Sequence, residues 1–145
     1  MTRALELRRV LPAPVDVVFD AWTTGELLAA WFVCDPSWTA RVEIDCRVGG
    51  AYRIEMFDDG RSVGLARGEY VALEPPHRLA FTWTSEGPVG VSASLVTVEL
   101  RPHPTGCELI LVHDLDPETP AGRAHERGWR GCLDCLHHTL EEKTR

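Results

Sequence analysis

Thr39-Ala40-Arg41-Val42-Glu43-Ile44-Asp45-Cys46 is the stretch on which the fold assignment rests. Apolar Ala40, Val42, Ile44 and Cys46 alternate with polar Thr39, Arg41, Glu43 and Asp45, a period of two that marks a half-buried antiparallel strand. The same period continues downstream. Gly49-Gly50 turns or bulges the chain, then Tyr52, Ile54 and Met56 alternate with Arg53 and Glu55 up to a turn at Asp58-Asp59-Gly60. A further strand runs to Glu74 and is ended by Pro75-Pro76. Arg78–Thr84 follows, with Leu79, Phe81 and Trp83 on one face. The loop from Glu86 to Gly90 leads into Ser94–Leu100, and a hairpin between Pro102 and Gly106 leads into Cys107–His113, with Leu109, Leu111 and His113 on one side.

Upstream and downstream of this block the period is helical. Arg3–Leu11 reads as a strand stopped by Pro12 and Pro14. Pro14 suits the first position of a helix in which Val15, Val18, Phe19 and Trp22 share one face. Thr23 with Glu26 three residues on has the spacing of a capping box, opening a second short helix through Leu28 and Trp31. At the other end Thr119 caps, and Pro120 opens, a helix to about Glu142, with Trp129, Leu133, Leu136 and Leu140 on one stripe. The order is strand, two short helices, six strands, one long helix. Segregated strands with a terminal helix predict an α+β domain, a sheet of about seven strands with the helix lying across one face.

The chain has 145 residues, a length suited to one domain spanning 1–145. Area scaling gives a folded surface of about 7,500 Å² and burial of roughly 68% of the unfolded surface, enough for a core without staples. The charge balance is 15 Lys+Arg against 22 Asp+Glu, a net −7. Its arginines are scattered among acids, which argues against a nucleic-acid partner. Lys143 is the only lysine, so P-loop, Schiff-base and S-x-x-K chemistries have no lysine to use. No apolar run reaches the ~18 residues of a membrane span. Charges at Arg3 and Glu6 fall where a secretory signal needs its apolar core, so the expected location is the cytoplasm. Five cysteines, odd in number and widely spaced, suit reduced thiols there.

Many short motifs in register resemble one known group. They are Ala13-Pro14 with Val18-Phe19-Asp20-Ala21-Trp22-Thr23, then Trp31-Phe32, Asp45-Cys46-Arg47-Val48-Gly49-Gly50, Gly68-Glu69-Tyr70, Pro75 to Trp83, Ser94 to Leu100, His113, and Gly128-Trp129 with Leu133. This pattern resembles START-like (SRPBCC) proteins, in the branch named after the activator of heat shock protein 90 ATPase. The resemblance implies a helix-grip fold, a curved antiparallel sheet wrapped around the C-terminal helix with an elongated cavity between them. It also implies a small apolar or amphipathic ligand, with a cyclase- or dehydratase-like enzyme or a protein-interaction module as alternatives. No catalytic residue transfers from it. The heat-shock activity does not transfer either, because the chain has no room for the extra domain of the eukaryotic activators.

Candidate site residues follow from the strand and helix faces. Trp38, Tyr52, Met56, Phe81, Trp83, Trp129 and Leu133 are candidates to line an apolar pocket, such pockets being built from aromatic side chains with a few polar groups. His113 ends a strand whose inward positions are Leu109 and Leu111, which makes it the candidate acid, base or donor at the cavity mouth. The plainer alternative is a histidine bonded to the following loop. Asp45 and Arg47 read as a structural pair. Cys132-Leu133-Asp134-Cys135 lies well inside a helix rather than at its N-terminus and has no second C-x-x-C, so it is read as packing, with no metal or redox role. His125-Glu126 lacks the second histidine of H-E-x-x-H, and Gly90 to Ser94 lacks the second glycine of a nucleophile elbow. The expected cofactor is none, and the expected assembly a monomer or homodimer.

Overall fold

The computed structural model describes residues 4–143. Its elements are β1 (Leu5–Leu11), α1 (Val15–Thr23), α2 (Gly25–Trp31), β2 (Thr39–Ile44), β3 (Ala51–Asp58), β4 (Arg61–Glu74), β5 (Arg78–Ser85), β6 (Ser94–His103), β7 (Gly106–His113) and α3 (Pro120–Lys143). The proposed start of the first strand at Arg3 lies outside the described residues. All seven strands form one antiparallel sheet in the order β1-β7-β6-β5-β4-β3-β2. The two ends of the chain order are therefore neighbours only through β1 and β7. The pair β5 and β6 joins the two halves.

Local chemistry accounts for most element boundaries. Asp59 and Gly60 both have positive φ, 50° and 80°, the backbone of a two-residue hairpin turn matched to strand twist. Tyr70 and Ala72 flank a register shift between β4 and β5, which bends the longest strand. Thr119 caps α3 as its position predicts, its Oγ1 accepting from the Gly122 N–H at 3.0 Å. The capping box at Thr23 does not form. Thr23 Oγ1 instead donates back to the Phe19 carbonyl at 2.8 Å, α1 continues through Thr23, and the N-cap of α2 is Thr24, with no side-chain cap. Pro14 likewise sits one position earlier than expected, as the N-cap of α1. Cys46 falls beyond the end of β2 and is exposed, so the alternation that marks the strand outruns the ladder by one pair.

The core lies between the concave face of the sheet and the helices. Leu7, Leu79, Val96, Val98, Leu100, Leu109 and Leu111 supply the sheet side. Trp129, Cys132, Leu133, Leu136 and Leu140 supply the stripe of α3, a helix about 36 Å long at 1.5 Å per residue. α1 and α2 close the same core with Val18, Phe19, Trp22, Leu28 and Trp31, the last donating its indole N–H to the Ala21 carbonyl at 2.9 Å. Arg9 of β1 and Asp134 of α3 add an ion pair at 2.6 Å near the surface, worth little beside the apolar contact.

Leu133 is fully buried, so Leu133→Ala is expected to cost about 2–5 kcal/mol of stability. Glu142→Ala, on the exposed side of the same helix, is expected to change it by less than about 0.5 kcal/mol. Denaturant unfolding of the two variants checks the assignment of the α3 stripe, which equal effects would contradict.

Candidate functional site

α3 does not meet the sheet along its whole length. Beside its first half a cavity of about 480 Å³ remains, within the range of about 300–1,000 Å³ usual for small-molecule sites. The sheet contributes Met56 of β3, Val63 to Ala66 of β4, and Trp83 and Ser85 of β5. α3 contributes Ala124, His125, Gly128, Trp129 and Cys132, and the α2–β2 connection contributes Phe32, Cys34 and Trp38. Glu86, Val89 and Arg127 also line it.

Four of the sequence candidates, Trp38, Met56, Trp83 and Trp129, come together on this wall. The others lie elsewhere. Tyr52 and Phe81 border a separate void of about 10 Å³ with Trp22, Leu28 and Tyr70, about enough for one water and no ligand. Their rings pack edge to face at 5.4 Å, and Tyr52 donates its hydroxyl to the Thr82 carbonyl. Burial drives both tyrosine hydroxyls well above the usual phenol range, so they act there as neutral hydrogen-bonding groups. Leu133 lies one turn beyond Trp129 and is fully covered by core. α1 and α2 push Trp22 and Phe32 into this end of the grip, which fills it.

His113 is also absent from the cavity wall. It is fully buried behind Trp83 and Trp129, with ring centroids 5.8 and 6.2 Å away. Its two nitrogens are both taken. Trp129 donates its indole N–H to Nδ1 at 3.1 Å, so Nδ1 is the lone-pair nitrogen and Nε2 carries the proton. Nε2–H then donates to Ser94 Oγ at 2.8 Å, and the Ser94 hydroxyl donates to the Trp83 carbonyl at 2.9 Å. Protonating Nδ1 would set two N–H groups against each other. Burial first, and the neighbouring His125 second, push the imidazole pKa down to about 3. His113 is a fixed link, and neither of the two sequence readings anticipated its partners.

The imidazole on the cavity wall is that of His125. Its Nδ1–H donates to the Ala121 carbonyl one turn back at 2.8 Å, which leaves the lone pair of Nε2 facing Ser85 Oγ at 2.9 Å. Ser85 thus donates to His125 while its oxygen accepts from the Val91 N–H at 3.2 Å. Sequence reasoning missed both residues, although two signals point to them. Ser85 is the next position after Leu79, Phe81 and Trp83 on the same face of β5, and His125 precedes Trp129 by one helical turn. Asp45 and Arg47 form an exposed pair at 2.8 Å, away from the cavity lining. Among the described residues no three His, Cys, Asp or Glu side chains converge as metal ligands, and no helix is long and apolar enough to cross a membrane.

A seven-stranded antiparallel sheet gripping a long C-terminal helix over a lateral cavity defines the START-like helix-grip class. Within it, residues 12–141 match the family described as activator of Hsp90 ATPase homolog 1-like protein, and the chain belongs to that family. Solved structures agree. A protein from Chromobacterium violaceum is 28% identical with a TM-score of 0.82, the match covering 95% of this chain and 97% of that one. One from Rhizobium leguminosarum is 30% identical with a TM-score of 0.81 over 97% and 95% of the two chains. An AHSA1-like protein from Aeromonas hydrophila shares the fold at 23% identity and a TM-score of 0.79, over 98% and 94%. A comparison with curated proteins gives no match.

The link through His113 has a consequence for acid stability. The unfolded imidazole titrates near 6.5 and the folded one near 3. Between these values the unfolded chain holds a proton that the fold rejects, so stability present above pH 6.5 is lost as the pH falls. The expected slope approaches about 1.4 kcal/mol per pH unit. Denaturant melts from about pH 6.5 to 5, above the carboxylate range, should show it in the wild type and not in His113→Gln.

Proposed function

We propose that the chain is a single START-like domain that binds one small, largely apolar molecule carrying a hydrogen-bonding group. The observation that carries this reading is the pairing of aromatic and polar surface in one cavity. Trp38, Met56, Trp83 and Trp129 offer apolar wall, and the Ser85–His125 pair offers the polar contact. Tyr52, Phe81, His113 and Leu133 support the wall from behind without touching the ligand. The net charge of −7 argues against nucleotides and nucleic acid. Five free thiols suit a reducing cytoplasm, with the protein as a monomer or homodimer and no cofactor.

The enzyme alternative passes from His113 to His125. Only His125 has an imidazole nitrogen facing a cavity-lining hydroxyl, the arrangement an acid–base step requires. The interaction-module alternative has less to support it. The exposed large apolar side chains, Val10, Val17, Val48, Val63, Val71, Val89 and Leu95, are dispersed over six segments of the chain.

A thermal-shift and tryptophan-fluorescence screen of fatty acids, aromatic polyketides and sterols, beside nucleotides, tests the reading. Three of the five tryptophans line the cavity, so an entering apolar compound should change the emission. It should raise stability by about 2.7 kcal/mol at a hundredfold excess over Kd. Trp38→Ala and Ser85→Ala are expected to weaken any hit about tenfold, which is about 1.4 kcal/mol. A screen in which no apolar compound moves either signal would overturn ligand binding.

A further inference from the structure

The described cysteines fall into unlike settings, and two that are 98 residues apart in sequence meet. Cys34 Sγ lies 3.8 Å from Cys132 Sγ and 3.9 Å from Met56 Sδ. Cys34 is half-buried, lines the 480 Å³ cavity and also lines a groove of about 560 Å³ between α2 and α3. Cys132 is buried on the inner face of α3. The C-x-x-C spacing therefore points to the wrong partner: Cys132 meets Cys34, and Cys135 is half-buried along the groove.

The meeting is built into the backbone. Gly131 lies against the Cys34 carbonyl so closely that a Cβ on it would sit 2.3 Å from that oxygen, and a Cβ on Gly128 would sit 3.4 Å from Cys34 Sγ. The two glycines let the α2–β2 connection press onto α3 and hold the thiols together. Closing the gap to a disulfide requires the sulfurs to move from 3.8 Å to about 2.05 Å. The thiols also differ in character. Cys132 donating its S–H lowers the Cys34 pKa, whereas the same bond, with burial, raises that of Cys132 well above the ordinary range. The exposed-side thiol is thus the better thiolate, and the buried one keeps its proton.

We propose that Cys34 and Cys132 form a hydroperoxide-reactive thiol pair, with Cys34 as the attacking sulfur and Cys132 as the resolving one. Cys34 thiolate attacks the outer oxygen of a hydroperoxide. The O–O bond breaks, sulfur is oxidised by two electrons to the sulfenic acid, and the leaving alkoxide or hydroxide takes up the proton that Cys34 gave up. Cys132 sulfur then attacks the sulfenic sulfur, an S–S bond forms, the S–O bond breaks, and the Cys132 proton leaves with hydroxide as water. The sum is two thiols and a hydroperoxide giving a disulfide, an alcohol or water, and one water. The product ties the α2–β2 connection to α3 between the cavity and the groove. It stands independently of ligand binding.

The test treats the reduced full chain with hydrogen peroxide, blocks remaining thiols with iodoacetamide and maps the peptides by mass spectrometry. The expected result is a Cys34–Cys132 cross-link, formed at least tenfold faster than any modification of exposed Cys46. Cys132→Ala should instead trap a dimedone-reactive sulfenic acid on Cys34, and Cys34→Ala should leave Cys132 reduced. A Cys34–Cys135 link, oxidation of Cys46 ahead of Cys34, or Cys34 passing to sulfinic acid in the wild type with Cys132 still reduced would each overturn the assignment. The wild-type map decides the matter even where a variant fails to fold.

Discussion

One buried chain of hydrogen bonds fixes the position of α3. It runs from the Trp129 indole to His113, from His113 to Ser94, and from Ser94 to the Trp83 carbonyl, so it joins the helix to β7, β6 and β5 in turn. Every donor in it has one acceptor and every tautomer is determined by its neighbour. Apolar contact alone would allow α3 to slide or roll on a concave face, since the hydrophobic effect has no direction. The polar chain removes that freedom because any displacement strands buried polar groups, each at about 1–3 kcal/mol.

The cavity follows from that placement. Trp83 and Trp129, 5.0 Å apart between centroids, are held at the boundary between filled and unfilled parts of the grip. On one side Trp22, Phe32, Tyr52, Tyr70 and Phe81 pack as a continuous aromatic cluster. On the other side the cavity-lining α3 residues beyond Trp129 toward its N-terminus are Gly128, Arg127, His125 and Ala124, too small or too polar to fill the space. Gly128, with Gly131 on the same helix, also admits the α2–β2 connection and brings Cys34 to Cys132. Space for a molecule and proximity of two thiols thus have one origin, the thinning of side chains along the first half of the helix.

Most elements were legible because their signals are local. Period-two alternation marks β2, β3 and β5 to β7, the turn at Asp59 and Gly60 and the stop at Pro75-Pro76 bound β4, and Thr119 with Pro120 marks the start of α3. The misplacements were local as well. Thr23 and Glu26 have capping-box spacing, but the Thr23 hydroxyl had a nearer acceptor in the Phe19 carbonyl, and competition of that kind is invisible to spacing. His113 shares the inner face of Leu109 and Leu111 yet lies behind the cavity wall, bonded to Ser94 and Trp129, because the face of a strand residue and its depth are separate questions.

The sequence by itself determined the strand order along the chain, the apolar stripe of α3 and the family, since periodicity and motif register need only neighbours in sequence. Only the tertiary structure decided which inward residues face empty space and which face one another. Tyr52 and Phe81 share the patterning of Trp83, yet the first two are packed into the aromatic cluster with Tyr70 and Trp22 and the third lines the cavity. Ser85 meets His125 across 40 residues, and Cys34 meets Cys132 across 98. Those contacts depend on how far the sheet curves and where the helix crosses it, which is set by the summed packing of all the elements and by no single stretch of the chain.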